Sequence, residues 1–191
     1  MKTLSKISLA GAALALLGIA AALAHGDKGK HSETRWQTIV VDVAQDARTA
    51  VPPTGSELSL KRGDTGIING KIYPGGTIAA GDGLDIDTLT GSIGTWVSRP
   101  TFNFDFIQFP MGAHPLLSAT HHYLFSPTGV SDGEEALFSE GPEFGATTHR
   151  VVLGGTGRYR GVIGEVQEET LGFNSTGFAN KRYTFTIRSP E

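Results

Sequence analysis

Between Trp36 and Ile187, apolar runs rich in β-branched and aromatic residues recur between clusters of Gly, Pro and Asp, and no stretch keeps a helical period. The pattern predicts strands over Trp36 to Val43, Thr65 to Tyr73, Ile93 to Phe104, Leu116 to Phe125, Ala136 to Glu140, His149 to Leu153, Gly161 to Leu171 and Arg182 to Ile187. The chain therefore reads as all-β, with about eight strands. Pattern alone suits a closed antiparallel barrel and a sandwich equally. A long Gly- and Asp-rich connection from Pro74-Gly75-Gly76 to Gly91 is expected to lie over one barrel mouth. Ser126-Pro127-Thr128-Gly129 and Ser131-Asp132-Gly133 form a second turn-rich linker.

Successive side chains on a strand point to opposite faces, so alternation assigns partners. Tyr183, Phe185 and Ile187 share one face and Arg182, Thr184, Thr186 and Arg188 the other. Leu117, Ala119, His121, Tyr123 and Phe125 fall together, opposite Leu116, Ser118, Thr120, His122 and Leu124. Both of those faces are partly apolar, which suggests that the outer surface is covered too, by another subunit.

The N-terminus has a different pattern. Lys2 and Lys6 precede an apolar and small-residue stretch from Ile7 to Ala24, ending in Ala22-Leu23-Ala24 before the polar run His25 to Lys30. This is the pattern of a secretory signal peptide over residues 1–24. A transmembrane anchor is the rival reading, but the many Ala and Gly residues make the stretch weakly hydrophobic. Cleavage would leave a product of 167 residues, with 25–35 a polar disordered lead-in and 36–191 one barrel domain, secreted or periplasmic and no longer in the membrane. With no Cys, neither lipoprotein attachment nor a disulfide is available, so stability must come from burial and from closing the sheet edges. Losing Lys2 and Lys6 takes the formal net charge from −3 to −5, and no basic patch suggests a nucleic-acid partner.

The most specific segment runs from Val151 to Val166, VVLGGTGRYRGVIGEV: a strand, a tight Gly turn, an aromatic plug at Tyr159 and a return strand whose glycines permit close packing. It resembles the allene oxide cyclase and dirigent protein superfamily, in which a Gly-Gly-Thr/Ser-Gly-x-aromatic segment leads into a small-residue strand. Gly91-Ser92-Ile93-Gly94-Thr95-Trp96 and Ser139-Glu140-Gly141 are similar to bacterial barrels of that type. The resemblance is close over about sixteen residues and diffuse elsewhere. It implies an eight-stranded antiparallel barrel, commonly trimeric, whose cavity guides stereoselective closure or coupling of an apolar intermediate. Plant dirigent proteins usually carry a pocket Arg where Ile163 stands here. The polar residues and Cys on which plant cyclases depend have no match. A nucleotide-binding reading of Gly154-Gly155-Thr156-Gly157 fails because the segment leads into a strand rather than through Gly-Lys-Ser/Thr into a helix.

By the implied geometry, Glu165 faces inward with Ile163 and Gln167, where an apolar interior would raise its pKa and fit it for acid or base work. The plain alternative is a solvated Glu in a run with Glu168 and Glu169. Arg99, Glu140 and His121 are polar residues among aromatic neighbours that could orient a carboxylate or polarise a carbonyl, with structural ion pairs as the alternative. Tyr123, Phe125, Ile163 and Phe185 are the expected lining for an apolar ligand. No nucleophile turn or Ser/His/Asp order suggests a hydrolase. No metal site and no cofactor are expected, since His121 and His122 point apart and His25 sits on a flexible tether. Asn174-Ser175-Thr176 matches a glycosylation acceptor.

Three functional readings follow. The barrel guides cyclisation, isomerisation or coupling of an apolar small molecule, using shape to supply orientation. It carries such a molecule unchanged. Or its ten Phe residues help fill the interior and the protein, a homo-oligomer by resemblance, acts through its surface.

Overall fold

The computed structural model describes residues 35–51, 60–105, 117–126, 134–143 and 146–189. The expected signal peptide, nearly all of the lead-in and linker residues 127–133 lie outside them. Eight strands form in chain order: β1 (Trp36–Val51), β2 (Ile67–Pro74), β3 (Gly94–Phe102), β4 (Leu117–Phe125), β5 (Glu135–Glu143), β6 (Thr147–Gly155), β7 (Ile163–Phe173) and β8 (Ala179–Arg188). Each pairs antiparallel with the next, and β8 returns to β1, from Trp36 opposite Arg188 to Ala44 opposite Asn180. The result is a closed barrel with no free sheet edge among these strands. All eight predicted strands are present. The largest difference is β1, which continues past Val43 because its backbone keeps partners on β2 as far as Asp46 and, after an irregularity, at Val51.

Alternation sorts the two faces. Val41 and Val43 of β1, Ile72, Trp96, Tyr123, Leu137, Val152, Val166, Tyr183, Phe185 and Ile187 form one buried cluster, the barrel interior. The near end of this interior is closed by Tyr159 and Val162 from the short turn between β6 and β7, with the Tyr159 ring 5.4 Å from that of Phe125. Gly155 permits that closure: a Cβ there would stand 2.4 Å from the Ala136 carbonyl oxygen and 2.5 Å from Tyr159 Cβ.

The connection between β2 and β3 does not cover a mouth as expected. It runs along the outside of the barrel, where Ile78 packs with Ala44, Tyr73 and Leu171, residues of the opposite parity to the interior. Gly81 and Gly83 donate backbone hydrogen bonds to Leu171 and Phe173. The connection is pinned by Asp42, which accepts from the Ile78 amide and from Arg182 Nε at 2.8 Å each. Burial of Ala44, Tyr73 and Leu171 outweighs the freedom of a polar loop over the mouth. The same packing uses Asn174 structurally: its Nδ2 donates to Gln45 O and Asn180 Oδ1, and the side chain is buried, so the Asn-Ser-Thr match is not an accessible glycan acceptor.

Candidate functional site

Inside the barrel, small residues on β3, β4 and β5 create room for long charged ones. Ser98, His121 and Ser139 stand side by side across these three strands, as do Pro100, Ala119 and Gly141 one step further along. Over Ala119 and Gly141 lies the Arg150 guanidinium, whose Nη1 donates to the Ala119 carbonyl at 2.9 Å. A Cβ on Gly141 would meet Arg150 Cγ at 3.0 Å, so a larger residue there would crowd the arginine.

The charged side chains follow the strand order and alternate in sign: Glu143 on β5, Arg150 on β6, Glu168 on β7 and Lys181 on β8, all buried. Arg150 Nε donates to Glu168 Oε2 at 3.0 Å, and Lys181 Nζ donates to Glu168 Oε1. Glu143 Oε2 accepts from Ser98 Oγ at 3.2 Å, with His121 Nε2 at 3.5 Å and Arg150 Nη2 at 3.9 Å. Ion pairing across neighbouring strands is what makes four buried charges tolerable.

His121 links the charges to an aromatic stack. Its ring meets Trp96 edge-on at 4.7 Å and Tyr183 at 5.7 Å, while Tyr183 meets Tyr123 at 5.1 Å and Tyr123 meets Phe185 at 4.8 Å. The Tyr123 hydroxyl lies 3.3 Å from His121 Nδ1 and 3.3 Å from Ser139 Oγ. The Glu143 carboxylate selects the tautomer with its proton on Nε2, so Ser139 donates to Tyr123 and Tyr123 donates to Nδ1.

The electrostatics follow from this placement. Burial pushes the His121 imidazole below its ordinary value of 6.5, against the pull of Glu143. Burial would raise the Glu143 carboxyl, but His121, Lys181 and Arg150 together bring it down to about 2. Burial raises the Tyr123 and Tyr183 phenols, so both are protonated donors at neutral pH.

Several buried polar atoms find no hydrogen-bond partner among the described residues: Trp96 Nε1, His121 Nε2, Arg150 Nη2 and the Tyr183 hydroxyl, with Gln45 Nε2 and Thr148 Oγ1 on the same interior face and Asn180 Nδ2 beyond it. Among the described residues, no group of three His, Cys, Asp or Glu is placed to hold a metal ion.

The sequence expectations divide evenly. His121, Tyr123, Phe125 and Phe185 lie in the interior. Glu165, Arg99, Glu140 and Ile163 do not: all four are exposed on the outer face. For Glu165 and Ile163 the parity is the reverse of that expected, because Val166 and Glu168 take the inner face of β7. Arg99 sits one step from inward-facing Ser98, and Glu140 one step from inward-facing Ser139, so both point out. Sequence reasoning missed Glu143, Arg150, Glu168, Lys181 and Trp96. Lys181 had a usable signal, since it shares the alternation of Tyr183, Phe185 and Ile187.

No protein-family model and no curated protein matches the chain. Solved structures do. The pterocarpan synthase dirigent protein GePTS1 is 12% identical, with 91% of this chain and 100% of that chain covered at a TM-score of 0.57. The pterocarpan synthase dirigent protein PsPTS1 is 17% identical, with 82% of this chain and 97% of that chain covered, also at 0.57. Together with the eight-stranded antiparallel closure, these likenesses identify the architecture: this chain has the dirigent and allene oxide cyclase type of barrel fold.

Proposed function

We propose that the protein is an exported barrel that takes a mainly apolar small molecule into its interior and guides ring closure, isomerisation or coupling. The observation that carries this reading is a run of four alternating buried charges, bordered by Trp96 Nε1 and the Tyr183 hydroxyl, which have no hydrogen-bond partner among the described residues, at one end of an otherwise aromatic and aliphatic interior. A barrel filled only for stability has no need of such groups, since replacing buried ion pairs by well-packed apolar residues is commonly neutral or stabilising. Confinement would hold the substrate near its reactive geometry and exclude water. The fixed donors would stabilise negative charge developing on an oxygen, and the Glu143 carboxylate positive charge developing on carbon. The solved dirigent structures lend support through fold alone.

The test is native mass spectrometry of protein taken from its own secretion or periplasm, followed by incubation of any released compound with fresh protein. A compound converted by the wild type and not by Glu143→Gln supports the proposal. A compound released and never converted supports the second reading, a carrier. That reading draws on the Trp96, His121, Tyr123, Tyr183 and Phe185 rings, which pack edge to face at centroid distances of 4.7 to 5.7 Å across the interior.

We further propose that copies of the chain associate through an exposed apolar area on the outer wall. Trp36, Arg188 and Ile163 lie side by side across β1, β8 and β7, with Val151 and Leu153 next on β6. Isolated exposed apolar residues are ordinary, whereas a grouping over four strands favours an interface.

A further inference from the structure

We propose that the charged end of the interior recognises one neutral hydrogen-bond acceptor oxygen, a carbonyl or ether oxygen, on an otherwise apolar ligand, and discriminates against carboxylates. This rests on the reading of the interior as a ligand site and names the chemistry that site selects.

Donors outnumber acceptors among the buried atoms that lack a partner. Every buried side-chain atom without a partner among the described residues is a nitrogen or a hydroxyl able to donate, and none is acceptor-only. Two of them, His121 Nε2 and Arg150 Nη2, face Glu143 Oε2 at 3.5 and 3.9 Å, while the Trp96 and Tyr183 rings, which carry two more, pack against the His121 ring at 4.7 and 5.7 Å. A buried donor left unmade is costly, so Trp96 Nε1 and the Tyr183 hydroxyl are the atoms that an acceptor on a ligand would satisfy.

The charges of the interior are already balanced. Glu143 and Glu168 are balanced by Arg150 and Lys181, and both Glu168 oxygens are taken, by Arg150 Nε and Lys181 Nζ. Arg150 Nη1 is taken by backbone carbonyls and Nη2 faces Glu143 Oε2 at 3.9 Å, so the charge of this cation is already matched. Burial holds the His121 imidazole below its ordinary value, which disfavours a positive charge there. A carboxylate entering here would add a negative charge beside Glu143 with no cation left to meet it, whereas a ketone, ether or epoxide oxygen would accept from the donors at no such cost. The adjoining rings of Trp96, Tyr123, Tyr183 and Phe185 pack against one another in the same cluster, and are the apolar groups that the rest of such a ligand would have to part.

The test titrates the purified protein with three probes of one ring system: acetylnaphthalene, which presents a neutral carbonyl, ethylnaphthalene, which has no oxygen, and naphthoate. Calorimetry gives the affinities, and nitrogen-15 labelling follows the Trp96 indole N–H. The ketone is expected to bind about tenfold more tightly than ethylnaphthalene, to shift the Trp96 indole resonance, and to bind more tightly than naphthoate. Trp96→Phe and, separately, the milder Tyr183→Phe should each shrink the ketone's advantage, read as the ratio of ketone to ethylnaphthalene affinity in the same variant. Equal affinity for ketone and ethylnaphthalene would overturn the proposal while leaving the interior a ligand site. Tighter naphthoate binding would overturn its charge argument. No binding of any probe would remove the ligand-site reading and this inference together.

Discussion

Arg150 and Glu168 form a fully buried ion pair, Nε to Oε2 at 3.0 Å, that ties β6 to β7 from inside the barrel. Glu168 also holds Lys181, so one carboxylate compensates two buried cations. Removing it while leaving both partners exposes the full desolvation cost of unpaired charge. Glu168→Gln is expected to destabilise the fold by about 3–5 kcal/mol, measured as a drop in the urea midpoint at unchanged slope. A change under about 1 kcal/mol would mean that water screens the pair.

Acid should weaken the fold in two stages. His121 titrates in the folded state below 6.5, so below that pH the unfolded chain takes up a proton that the folded chain refuses, and stability declines. Glu143 is held at about 2 against an ordinary 4.5, so its contribution is present above 4.5 and is lost as pH falls through about 2. Urea midpoints taken across the acid range should be level at neutral pH, fall below 6.5, and fall again below 4.5. His121→Phe should reduce the upper decline and leave the part due to His122, which burial and Arg99 also hold below 6.5.

Gly164 pairs with Val152 on one side and Ile187 on the other, at a φ of +154°. A Cβ there would sit 2.1 Å from the Thr186 carbonyl oxygen. Gly164→Ala is therefore expected to cost about 3 kcal/mol or more by thermal or urea unfolding, since backbone of two strands must move apart.

Ile163 faces outward and is about half exposed, so Ile163→Arg should leave the unfolding midpoint within about 0.5 kcal/mol of wild type. The same variant should reduce self-association in sedimentation equilibrium. Unchanged association would place the contact elsewhere.

The fold was largely legible because strand signals are local. The alternation of Tyr183, Phe185 and Ile187 and the grouping of His121, Tyr123 and Phe125 both put together residues that share the inner face found here. The Gly-Gly-Thr-Gly turn and Tyr159 plug were equally readable, since their job is done within a few residues. β6 and β7 misled for a physical reason. Their outer faces carry Val151, Leu153 and Ile163 while the inner faces carry Arg150 and Glu168, which inverts the usual apolar-in pattern. Such an inversion is tolerable only where charges meet partners on other strands. Those partners are far apart in sequence, as with Ser98 and Glu143, and closure of the barrel alone brings them together. The long loop was misplaced for a similar reason: Ile78 and the buried Asp42 decide where it lies, and no local feature announces that they meet.

The central claim is that the charged end of the interior is a ligand site. A high-resolution crystal structure of protein purified from its own source, without added ligand, tests this most directly. Density is expected for a small organic molecule with an oxygen within hydrogen-bond distance of Trp96 Nε1 or the Tyr183 hydroxyl. Ordered waters alone, fully satisfying those donors, would contradict it.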